Sequence, residues 1–133
     1  MNRNPKNPKT EQDRDVNVEA AWRRLFDNKS DESENTFCFN LFEMNRFDEG
    51  LFGTLCEDMG LVIKNKNAEP KSNYHLLVWI ISCIFRSIFS HLDKNDRYKI
   101  KNFDGEISEK WNADYLDRLR GLLDEIFVLV IEA

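Results

Sequence analysis

The chain has 133 residues, 41% of them apolar and 32% charged, with ten Phe, three Trp and a formal net charge of −5. That length holds one domain with one core, the aromatic content excludes a disordered chain, and the acidity argues against a broad coat on nucleic-acid phosphates. Cys38, Cys56 and Cys83 form no Cys-x-x-Cys pair, which speaks against a disulfide framework and against zinc; they read as reduced core thiols of a cytoplasmic protein.

In chain order, residues 1–15 carry two Pro, several Asn and mixed charge without a period, the pattern of a flexible tail. Nothing in this polar start resembles the apolar region of a secretory signal. The domain is expected over 16–133. Val18, Ala21, Trp22, Leu25 and Phe26 recur at helical spacing, so a first amphipathic helix is predicted over 16–26. The stretch 27–35 is rich in Asp, Asn and Ser and reads as a turn.

Phe37, Leu41, Met44, Phe47, Leu51, Leu55 and Met59 then form one apolar stripe. Gly50 and Gly53 lie inside it and predict a kink or a division into two helices, and Gly60 is placed as a terminator. A polar loop over 64–73 follows, with Ser72 or Asn73 as the helix cap. The segment 74–92 is apolar nearly all round, as in the most buried helix of a bundle. Its uncharged run at 76–85 is shorter than the roughly 20 residues a membrane span needs, and Arg86 and His91 follow at once, so no membrane insertion is expected. After a charged turn at 93–105, Trp111, Tyr115, Leu119, Leu122, Leu123, Ile126, Phe127 and Val130 predict a closing helix over 107–133, with Gly121 as an interior flaw. The fold expected is all-α, an up-and-down bundle of four to five helices.

No phosphate-binding glycine loop, nucleophile elbow or metal-ligand spacing occurs, and with only His75 and His91 available no metal and no cofactor is expected. One constellation can carry chemistry: Arg86, Ser87 and His91 at the end of the central apolar helix. A guanidinium holds a scissile phosphate and offsets its charge, and an imidazole shuttles protons near neutral pH. With the ribose 2′-hydroxyl as nucleophile, such a pair cleaves RNA without a metal.

An Arg, four intervening residues and a His late in an apolar helix resemble the HEPN superfamily, with Ser87 matching the small polar residue common after the Arg. The resemblance covers about 37–131, its specific part being 86–91. It implies a metal-independent endoribonuclease or an RNA-binding relative in toxin–antitoxin or antiviral defence, acting as a homodimer, with Arg86 and His91 catalytic and Ser87 accessory. Some toxin members carry a Tyr two residues after the His; Asp93 stands there, so their regulation through that tyrosine does not transfer. Five residues on an α-helix turn through about 140°, so Arg86 and His91 converge only at a helix end or across a partner chain.

The alternative is a non-catalytic acidic interaction protein, an immunity protein, antitoxin or adaptor, that binds a basic effector through Asp31, Glu32 and Glu34 or through Glu57 and Asp58. Arg86 then serves as a rim or ion-pair residue and His91 as a helix-end structural group. Trp22, Trp79 and Trp111 are read as core anchors, His75 as a helix-start surface residue, and Arg23 and Arg24 as a solvated face.

Overall fold

The computed structural model describes residues 11–66 and 70–132. It is all-α: α1 (Glu11–Asp27), α2 (Phe37–Phe42), α3 (Glu49–Lys64), α4 (Lys71–Leu92), α5 (Glu106–Lys110) and α6 (Leu116–Glu132), with a π-helical turn, Trp111–Tyr115, joining the last two into one rod. α1 packs on α3, α3 on α6, α6 on α4, and α4 back on α1. The long helices therefore close a four-membered ring, and the consecutive α3 and α4 pack mainly on others rather than on each other. The short α2 wedges against α3 and α4.

The core is one cluster. Val18, Ala21, Trp22 and Leu25 of α1 meet Leu55, Met59 and Val62 of α3, Leu77, Ile80, Ile81, Ile84 and Ile88 of α4, and Leu119 and Ile126 of α6. At one end an aromatic knot fills the space: Phe47 lies edge-on to Phe37 at 5.0 Å and stacks on Tyr115 at 5.9 Å.

Several boundaries differ from those the sequence suggests. α1 already begins at Glu11, so 11–15 belongs to the helix and not to a tail, while 1–10 lies outside the described residues. The apolar stripe at 37–59 does divide, but at 43–48, ahead of Gly50 and Gly53. Asn45 sits at φ 54° there, and Asp48 starts α3 by accepting from the Leu51 N–H at 3.0 Å. Gly60 terminates nothing, since α3 runs on to Lys64. Pro70, not Ser72 or Asn73, precedes α4, a position where a missing N–H costs nothing.

α4 is long and apolar enough to cross a membrane by length and composition, yet its Ile and Leu face is taken up by the core. Its other face is exposed: His75, Trp79, Ser82, Arg86 and Phe89 follow one another on it. Trp79, expected in the core, is 39% exposed and Phe89 70%, whereas Trp22 and Trp111 are buried.

Candidate functional site

The sequence pair does not meet. Arg86 stands on the solvent face of α4 and makes no ion pair or hydrogen bond among the described residues. His91, turned inward by the rotation between them, has a side chain only 6% exposed. Its Nδ1 accepts from the buried Ile100 N–H at 2.9 Å, which leaves the ring proton on Nε2 to donate to Asp104 Oδ1 at 3.0 Å. Phe103 packs edge-on to the ring at 5.2 Å.

His91 is thus the peg on which residues 93–105 hang. Lys99 Nζ donates to the His91 carbonyl at 3.0 Å and to that of Asp93 at 2.6 Å, closing the C-terminus of α4. Asn102 pairs reciprocally with the Phe47 backbone, both bonds at 2.8 Å. With both ring nitrogens committed, His91 has none to offer a ribose hydroxyl or a leaving oxygen. Ser87 donates back to the Cys83 carbonyl at 3.0 Å. Ile100 and Asp104, the partners of His91, carry no signal in the sequence beyond their place in a charged turn.

Part of each acidic run, by contrast, converges on one place. Glu32 and Glu34 from the α1–α2 loop and Asp58 from α3 line one groove of about 480 Å³, together with Asp27, Arg24 and Thr54. Asn28 fixes the loop's approach: its side chain donates to the Arg24 carbonyl at 3.0 Å and accepts from the Cys38 N–H at 3.1 Å. Thr36 caps α2 by accepting from the Phe39 N–H at 3.1 Å. The groove's single cation among the described residues, Arg24, is spent on a two-pronged ion pair with Asp58, at 2.9 and 2.8 Å; the carboxylate raises the guanidinium's already high pKa further. Asp27, Glu32 and Glu34 are exposed and form no ion pair among the described residues. The groove therefore presents a net negative field with its one neutralising charge already used. Asp31 and Glu57, the other two acidic candidates, are exposed and stand outside this lining.

A separate polar knot ties α3 to the π turn. Glu49 Oε2 accepts from the Tyr115 hydroxyl at 2.6 Å and from Lys110 Nζ at 3.0 Å. The Tyr115 bond, followed by Lys110, holds the Glu49 carboxyl below the usual carboxylate range. Burial pushes the Cys38 thiol up, and that of Cys56 to about 11, so neither is a thiolate nucleophile at neutral pH. Among the described residues no three His, Cys, Asp or Glu side chains are grouped to hold a metal ion.

Comparison with protein-family models, curated proteins and solved structures gives no match.

Proposed function

We propose that this chain is a non-catalytic binding module that docks a basic partner protein in the groove between α1, the α1–α2 loop and α3. The observation that carries this reading is the convergence of Asp27, Glu32, Glu34 and Asp58 around one groove in which Arg24, the one cation among the described lining residues, is paired. Lys and Arg side chains entering it would meet three uncompensated carboxylates on a backbone already held by Asn28 and Thr36, so little ordering entropy is lost on binding. This is the arrangement an immunity protein, antitoxin or adaptor would use against a basic effector.

A ribonuclease of HEPN type needs His91 free to move a proton. That requires breaking its bonds to Ile100 and Asp104, and Arg86 alone supplies phosphate contact without acid–base chemistry.

The test is anisotropy of fluorescein-labelled octa-arginine titrated with the protein at about 0.05 M and 0.3 M salt. Binding is expected at the lower salt and weakened by screening at the higher. The Glu32→Gln/Glu34→Gln double variant weakens it about tenfold, the weight of two partly exposed charge pairs, and Arg86→Ala leaves it unchanged. Wild-type affinity in the double variant overturns the proposal.

A further inference from the structure

Arg86 lies on a ridge between two depressions of different character. On one side it shares a groove with Asp93 and Asp96, whose carboxylates cap the following turn by accepting from the Asn95 and Tyr98 N–H groups at 2.9 and 2.8 Å. Those two charges repel an anion. On the other side is a cleft of about 320 Å³ lined by Phe42, Trp79 and Tyr98 together with Ser87 and Ser90, with Arg86 its one charged lining residue among the described residues.

The walls of this second cleft are fixed from behind. The Tyr98 hydroxyl donates to the Leu41 carbonyl, joining the turn after α4 to the end of α2. Lys29 Nζ stands 5.9 Å from the centroid of the Trp79 ring, so a second cation lies close to the same aromatic wall. Arg86 and Lys29 thus flank this cleft, while Asp93 and Asp96 line the neighbouring groove. Burial pushes the Cys83 thiol at the cleft edge up, the charge of Arg86 pulling the other way. The net rise keeps it a thiol, which suits the cleft to binding rather than to nucleophilic chemistry.

We propose that this cleft binds a small aromatic carboxylate, its carboxylate held by the Arg86 guanidinium and the Ser90 hydroxyl and its ring lying against Trp79, Tyr98 and Phe42. Three features select that class. The volume matches the lower end of small-molecule sites, the walls offer aromatic faces for a flat ring, and the planar fork of an Arg with no ion-pair partner among the described residues matches a carboxylate. The cleft shares no lining residue with the acidic groove, so this site stands or falls independently of the proposed partner binding.

The experiment is an amide-shift titration of the full chain with phenylacetate, 2-phenylethanol and acetate. Phenylacetate is expected to move the signals of Trp79, Arg86 and Ser90 saturably, at a lower concentration than either fragment, because it alone supplies both charge and ring. Arg86→Gln weakens phenylacetate about fivefold, the weight of one partly exposed ion pair, and leaves 2-phenylethanol unchanged; Arg86→Lys recovers part of the loss. The inference is overturned by equal binding of the alcohol and the acid, by an unchanged affinity in Arg86→Gln, or by no saturable shift below about 10 mM phenylacetate, beyond which a site of this kind has no useful affinity.

Discussion

Replacing His91 by Ala separates a structural from a catalytic histidine. The change removes the acceptor for the buried Ile100 N–H, and an orphaned buried donor costs about 1–3 kcal/mol. Loss of the ring from its contact with Phe103 adds a small cavity, about 1 kcal/mol. The bond to Asp104 adds little, since that carboxylate's side chain is 85% exposed. The sum is about 2–4 kcal/mol. With a urea dependence of about 1.5 kcal/mol/M, the unfolding midpoint drops by roughly 2 M. His91→Asn is the informative companion, because its Oδ1 can replace Nδ1 as acceptor for Ile100 and should recover about half of the loss. Equilibrium urea unfolding followed by Trp fluorescence reads both. A wild-type midpoint in His91→Ala, or an Asn variant no more stable than the Ala variant, would show that His91 does not anchor the turn.

Arg24→Ala leaves the Asp58 carboxylate, with 8% of its side chain exposed, without its partner, and should cost about 1–3 kcal/mol. Adding Asp58→Asn restores most of this, and urea midpoints of the single and double variants check it. Because the Glu49 carboxyl is held low in the fold, its contribution is present above the ordinary carboxylate pKa of about 4.3 and is lost as pH falls through the lowered value. Stability should therefore fall less steeply with acid in Glu49→Gln than in wild type; parallel curves would exclude this role. With a thiol reagent near pH 8, Cys83, half-buried, should react first while Cys38 and Cys56 wait for unfolding. Incubation with RNA in EDTA should leave the RNA intact, and cleavage by wild type but not by a folded His91→Asn protein would restore the nuclease reading.

The helices were legible because burial imposes a 3.6-residue period, and that period is strong wherever Leu, Ile and Phe recur. What the period cannot encode is where a stripe breaks. Residues 37–59 keep their apolar spacing across the 43–48 break, because Phe47 packs into the aromatic knot from a non-helical segment. Gly50, Gly53 and Gly60 misled in the same way: a helical Gly costs only about 1 kcal/mol, which tertiary packing outweighs. The π turn at Trp111–Tyr115 leaves the spacing of 111, 115 and 119 intact, so nothing in the sequence marks it. The exposed face of α4 could have been read from His75, Ser82 and Arg86, polar residues spaced along one side that also carries Trp79 and Phe89. Arg86 and His91 are legible as unusual residues, and so is the rotation of about 140° between them on a helix; whether the helix ends before His91 is not. Their separation follows from the helix continuing unbroken to Leu92, and the partners of His91 come from a turn without periodic pattern. The acidic runs were visible singly, and only the packing of α1 on α3 brings part of each to one groove.

Binding of a basic partner in that groove is tested most directly by mapping amide shifts while octa-arginine is added. Ser33, Asn35 and Thr54, which line the groove, are expected to shift together with one apparent affinity. Shifts confined to the exposed carboxylates of α6, around Asp117, Asp124 and Glu125, with the groove signals unmoved, would contradict it.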